Sequence, residues 1–144
     1  MAKVLVIYCS MTGNTQMAAE AVAEGARSAG AEVSLMTGTD AQPDDLIKAD
    51  AVALGSYDAF SYMGGPLKDF FDRALYPTQD AVTDKPYVAF LTHGGGGKAM
   101  SSIESLAKAL KLRKAADSVS VVGRPEAAAL TKLQHLGAAL VKAI

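Results

Sequence analysis

The chain has 144 residues, half of them hydrophobic and a fifth charged, with a formal net charge of -1. That length suits one domain, residues 1–144, with a core that needs no disulfide, and the charge balance excludes the basic excess of a dedicated nucleic-acid binder. No apolar run approaches a membrane span, Met1-Ala2-Lys3-Val4 lacks signal-peptide architecture, and the lone Cys9 has no internal disulfide partner, so a reducing cytoplasm is the expected setting.

Strands and helices alternate along the chain. Lys3 to Cys9 (KVLVIYC) is a continuous apolar, β-branched run, the pattern of a strand buried on both faces. Thr15 to Ala29 has helical spacing, with Met17, Ala21, Val22 and Gly25 on one side and Gly30 as a stop. Glu32 to Met36 and Asp50 to Ser56 read as the second and third strands. The segment between them is loop, with one helical turn near Asp45 to Lys48. Gly65 and Pro66 open an amphipathic helix in which Leu67, Phe70, Phe71, Ala74 and Leu75 share a face. Pro86 to Thr92 is a fourth strand, Lys98 to Leu112 a helix and Ser118 to Val122 a fifth strand. Pro125 starts a last helix with Leu130, Leu133, Leu136, Gly137, Leu140, Val141 and Ile144 along its buried side.

Five apolar strands with intervening helices imply an α/β fold, a doubly wound five-stranded parallel sheet with helices on both faces. Right-handed crossovers make 2-1-3-4-5 the leading strand order. Ligands of such sheets bind beyond the carboxyl ends of the strands, near the point where strand order reverses. The loops after strands 1, 3 and 4 should therefore carry the chemistry.

The first loop, Ser10-Met11-Thr12-Gly13-Asn14-Thr15, leads from a buried strand into a helix N-terminus. Such a turn offers unpaired backbone N–H groups and the positive end of a helix dipole, an anion site. Ser10, Thr12, Asn14 and Thr15 add side-chain donors, and Gly13 lets the backbone curl around a phosphate. One or two hydroxyls would suffice to cap a helix; four donor side chains in six residues exceed that need. The absence of lysine and arginine points to a phosphate monoester held by hydrogen bonds.

These residues carry a family resemblance. VIYCSMTGNTQMAAEAV, residues 6 to 22, resembles the flavodoxin signature, in which the loop binds the phosphate of FMN. The resemblance extends along the chain by element order, implies FMN as cofactor and the 2-1-3-4-5 order itself, and is similar to the short-chain form because no insertion splits the fifth strand. It also implies that the second loop, Ser56, Tyr57, Asp58, Ala59, Phe60, Ser61 and Tyr62, and the third, Thr92, His93, Gly94, Gly95, Gly96 and Gly97, contact the flavin.

In the second loop Tyr57, Phe60 and Tyr62 offer flat apolar faces to an isoalloxazine ring. Flavodoxins commonly place a tryptophan here; this chain has none. Phe60, Met63 and Gly65 are instead similar to flavodoxin-like NAD(P)H:quinone oxidoreductases. The third loop lacks the tyrosine that flavodoxins usually stack on the flavin, and no acidic residue lies between Thr92 and Ile103. Its four glycines expose backbone N–H groups to flavin carbonyls. His93 either contacts the flavin or satisfies local backbone.

Other motifs fail on detail. A Walker loop needs glycine at Thr92 and a hydroxyl residue at Ala99. A response-regulator receiver needs acidic residues at the end of strand 1, where Cys9 and Ser10 stand. Cys9 reads as packing rather than a redox thiol, Asp58 as a turn residue rather than a catalytic acid, and His93 and His135 suggest no metal site. No catalytic residue is assigned. The leading expectation is an FMN redox protein that carries electrons between partner proteins; an NAD(P)H:quinone oxidoreductase using a quinone-like acceptor stands second. A flavin-free docking module of the same fold stands third. Neither nucleic acid nor a membrane span enters any of the three.

Overall fold

The computed structural model describes residues 1–144. β1 (Lys3–Tyr8) lies between β2 (Glu32–Thr37) and β3 (Ala51–Ala59), parallel to both. On the far side of β3 runs β5 (Pro86–His93), also parallel. The order β2-β1-β3-β5 reproduces the expected reversal of strand order beside β1.

Two parts of the sheet differ from the sequence reading. The outer position beside β5 is filled by two short segments, β6 (Arg113–Lys114) and β7 (Val119–Val122), each parallel to β5. Asp117 and Ser118 pair poorly in sheets, and the Ser118 hydroxyl donates to Glu104, which also pairs with Lys114. The strand breaks there without an insertion. The second departure is β4 (Tyr62–Met63), which folds back antiparallel on the end of β3, with Asp58 opposite Met63 and Ala59 opposite Tyr62. The sheet thus has seven strand segments rather than five strands.

Alternation along each strand sorts the core into two layers. Val4 and Val6, Ala51 and Ala53, and Val88 and Phe90 face α1 (Asn14–Ser28) and α5 (Ala127–Lys142). Leu5, Ile7 and Cys9, Val52 and Leu54, and Ala89 and Leu91 face α2 (Pro43–Lys48), α3 (Gly65–Ala74) and α4 (Met100–Ala109). Because every central strand is covered on both sides, its sequence reads as an unbroken apolar run. The sequence's single helical turn lengthens to α2 because Pro43 suits a first helical position and Gln42 and Asp45 close a capping box ahead of it. The helix expected over Lys98 to Leu112 is shorter: Gly96 and Gly97 turn left-handed before it, and Lys111 at φ 65° ends it.

Small residues set the distance between α1 and α5. A Cβ on Gly137 would stand 2.0 Å from the carbonyl oxygen of Val22, and one on Gly25 1.8 Å from that of Gln134. Both contacts are to backbone, which has nowhere to retreat. Gly137→Ala is therefore expected to force the helices apart and cost about 1–3 kcal/mol. Gly65→Ala, where an added Cβ meets nothing within 4 Å, is expected to leave stability equal or slightly raised. Urea denaturation midpoints of the two variants check the contrast.

Candidate cofactor site

The carboxyl ends of β1, β3 and β5 converge on a cleft of ≈ 250 Å³. The first loop supplies Met11, Thr12, Asn14 and Thr15, the second Tyr57 and Asp58, and the third Thr92, His93 and Gly94. Gly123, just beyond β7, completes the lining. Sequence reasoning missed it, although it occupies the same end of the sheet after the last strand. A hollow of ≈ 510 Å³ lies between α1 and α5, so volume does not single out a site. The converging donors do.

In the first loop the four donor side chains divide. Ser10 Oγ accepts the N–H groups of Gly13 at 3.2 Å and Gln16 at 3.3 Å, so it holds the loop closed. Gly13 precedes α1 with φ 99°, a conformation that makes glycine the fitting residue. The Thr15 hydroxyl is buried and bonded at 2.7 Å to that of Thr92 on β5. That pair ties the first loop to the third. Thr12 and Asn14 remain directed to the cleft lining, and the first-turn amides of α1 have no acceptor inside the helix.

The second loop is a tight hairpin rather than a mobile segment. Phe60 and Ser61 sit at its two central positions with φ 55° and 67°, the left-handed pair that such a turn requires and that glycine or asparagine usually supplies. Asp58 steadies it: one carboxylate oxygen accepts the Ser61 N–H at 2.8 Å and the other that of Ala99 at 3.2 Å. Asp58 is thus a turn residue, as expected, and also a bridge to the start of α4. Ser56 is fully buried; its hydroxyl donates to the Tyr57 carbonyl and accepts the Gly64 N–H at 2.7 Å. The aromatic side chains diverge. Tyr57 packs on the core beside Gly64 and lines the cleft, Tyr62 is 40% exposed, and Phe60 at the hairpin tip is wholly exposed. Ala59 ends β3 opposite Tyr62.

In the third loop, Gly94, Gly95 and Gly96 are exposed, and Gly97 at φ 66° lies close under the His93 ring. The His93 carbonyl accepts the Gly123 N–H at 2.8 Å, but its Nδ1 is buried without a partner. The ring nitrogen therefore does not satisfy local backbone. A buried polar atom left unpaired at a cleft wall is costly unless something entering the cleft meets it.

Cys9 is 2% exposed and sits 3.3 Å from the Ser56 hydroxyl, which agrees with a packing role. Burial pushes its thiol above the ordinary value, with the Ser56 hydrogen bond only partly opposing. Burial likewise raises Tyr57, with the neighbouring Cys9 adding to it. No group of three or more histidine, cysteine, aspartate or glutamate side chains is gathered for a metal ion.

This geometry has close relatives. Residues 6–137 match the family model for flavodoxin. The chain belongs to the flavodoxin family. A flavodoxin from Aquifex aeolicus is 43% identical over 98 residues, 67% of this chain and 53% of that protein. An NAD(P)H dehydrogenase (quinone) from Rhodopseudomonas palustris is 35% identical over 129 residues, 72% of this chain and 64% of that protein. The chain thus spans between half and two thirds of the length of these curated relatives. Among solved structures, a flavodoxin from the domain Archaea superposes with a TM-score of 0.90 at 26% identity, covering 97% of this chain and 96% of that one. A Streptococcus flavodoxin at 21% identity and TM-score 0.88, covering 99% and 100%, shares the fold. Family membership implies a flavin cofactor. No helix is long and apolar enough to cross a membrane.

The buried thiol gives a direct check. Native protein at pH 8 is expected to leave Cys9 unlabelled by a disulfide reagent such as DTNB, with one thiol released on unfolding. Because the folded pKa is raised, Cys9 favours the native state below the ordinary thiol pKa, and that contribution is lost as pH rises through the folded value. Cys9→Ala should flatten the loss of stability above pH 9 in urea titrations.

Proposed function

We propose that the chain binds FMN without a covalent link at this cleft and passes electrons between a donor and an acceptor protein. The observation that carries the reading is the convergence of the Asn14 and Thr15 amides, the Thr12 and Asn14 side chains and the unpartnered His93 Nδ1 on one cleft at the carboxyl ends of β1, β3 and β5. The residues present fit the cofactor. The amides of α1 with Thr12 and Asn14 hold a phosphate, and the helix dipole favours its charge. The backbone N–H groups of Gly94, Gly95 and Gly96 and the ring of His93 meet the polar edge of the flavin, and Tyr57 offers it an apolar face. Ser10, Thr15, Ser56 and Thr92 act one step behind, fixing the loops. Met11 lines the cleft as well, while Gly13, Ala59, Phe60, Ser61, Tyr62 and Gly97 shape the loops around it. Bound FMN supplies one- and two-electron chemistry that no side chain of this protein can provide.

Asp58 supplies what the third loop lacks. Asp58 is one of the residues lining the cleft, so the acidic residue absent from residues 93–103 arrives from the hairpin. A negative charge beside the cofactor opposes the addition of electrons. Asp58→Asn keeps the acceptor for Ser61, gives up the longer bond to Ala99, and is expected to raise the midpoint potential of the bound flavin. A charge roughly 8 Å away at an effective dielectric near 20 is worth about 2 kcal/mol before screening, or tens of millivolts. Spectroelectrochemical titration measures it.

A second reading, an NAD(P)H:quinone oxidoreductase, is supported by the Rhodopseudomonas relative and by a third loop with no aromatic side chain over the cleft. Anaerobic mixing of the FMN-loaded protein with NADH and NADPH separates the two: rapid bleaching of flavin absorbance favours the enzyme.

The binding claim itself is tested by titration against FMN and riboflavin. Each hydrogen bond to a charged phosphate contributes about 1.5–3 kcal/mol, so FMN is expected to bind more than about a hundredfold tighter. Thr12→Ala with Asn14→Ala should remove most of that margin and leave riboflavin unaffected. Equal affinities for the two ligands in the unaltered protein would contradict the proposal.

A further inference from the structure

The formal charge of -1 conceals a segregation. Of the fourteen lysines and arginines, nine lie in residues 85–144; of the fifteen aspartates and glutamates, twelve lie in residues 1–84. Strand order turns this into a spatial asymmetry, because β2, β1 and β3 come from the first segment and β5, β6 and β7 from the second. Asp80 and Asp84 reach across to the β6 side, so the acidic excess lies on the β2 side and a smaller basic excess on the β6/β7 side.

Several of the basic groups are already paired: Lys111 with Asp80, Arg113 with Asp84 and Lys114 with Glu104. Lys98, Arg124 and Lys132 are exposed and enter none of the seven ion pairs. Arg124 and Lys132 line one groove of ≈ 340 Å³ with Val119, Val122, Ala129 and a single acid, Glu126. One wall of that groove is β7, which pairs with β5 and with no other strand. Its outer edge therefore presents unpaired backbone groups, a template for an added strand. Val122 on that edge is 69% exposed, the apolar content that an anchoring contact uses.

The groove also adjoins the cofactor cleft. Gly123 lines the cleft, while its chain neighbours Val122 and Arg124 line the groove. A partner seated on β7 reaches the rim across which electrons would pass.

We infer that the β7 edge with Arg124 and Lys132 is the docking surface for a redox partner that presents an acidic extended segment. The inference rests on the reading of the chain as an electron carrier. Complementary charge supplies both the orientation and the rate of such an encounter. A second copy offering its own acidic β2 side would repeat head to tail without closing, which makes it the weaker occupant.

The test uses the isotopically labelled full chain, titrated at low salt with a ten-residue oligoglutamate and, separately, oligolysine, with amide shifts followed by NMR. Oligoglutamate should shift Val119 to Arg124 and Lys132, and added salt should weaken it. Arg124→Glu with Lys132→Glu should lower that affinity by about tenfold or more while FMN affinity stays unchanged. Oligolysine should shift a different set of amides and be insensitive to the double substitution. Shifts centred elsewhere, an unchanged affinity in the double variant, or no binding would overturn the docking surface. So would concentration-dependent self-association abolished by the same substitutions. Because these readouts need no flavin, a chain that fails to bind FMN yet takes oligoglutamate on β7 keeps the surface and loses only the carrier reading.

Discussion

Burial of β1, β3 and β5 on both faces is the constraint from which the rest follows. With helices above and below, the strands have no face left for chemistry, and their side chains only pack. Polar function is pushed to the strand ends. Parallel pairing then places the carboxyl ends of all three at one edge, and the reversal of order at β1 opens a crevice between the loops. Phe90 shows how tightly this is enforced, since a Cβ on neighbouring Gly55 would lie 2.1 Å from its ring.

The loops are held by hydrogen bonds between them, and these explain the hydroxyl-rich first loop better than ligand binding alone. Thr15 meets Thr92 across the cleft floor, Asp58 reaches from the hairpin to Ala99, and Ser102 accepts the Met63 N–H at 3.0 Å while donating to the Ala99 carbonyl. Ser10, Asp58 and Ser102 position backbone and Thr15 and Thr92 hold each other, leaving amides and a few side chains for a ligand. A preorganised site of this kind loses little entropy when it binds.

The strand order, the two-layer core and the three site loops were legible in the sequence because they rest on periodicity and on the Ser10 to Thr15 pattern. What was hidden depended on contacts distant in sequence. Nothing local says that Ser10 closes its own loop, that Thr15 pairs with a residue on β5, or that Asp58 carries negative charge into a cleft whose third loop has none. The tight hairpin turn was hidden because its central positions hold Phe60 and Ser61 instead of glycine, and the Asp58 bond to Ser61 that steadies them has no signature in the sequence. Net charge was the least informative number, because -1 says nothing of how acid and base divide across the sheet.

The central claim is that one end of the sheet binds a phosphorylated flavin through backbone amides. Titrating the isotopically labelled chain with FMN and following every amide by NMR tests it most directly. The account expects the largest shifts at Thr12 to Gln16 and Gly94 to Gly97, with a change in the His93 ring signals and little movement along α2 or the outer faces of α1 and α5. Shifts centred on the hollow between α1 and α5, or spread evenly over the surface, would contradict it.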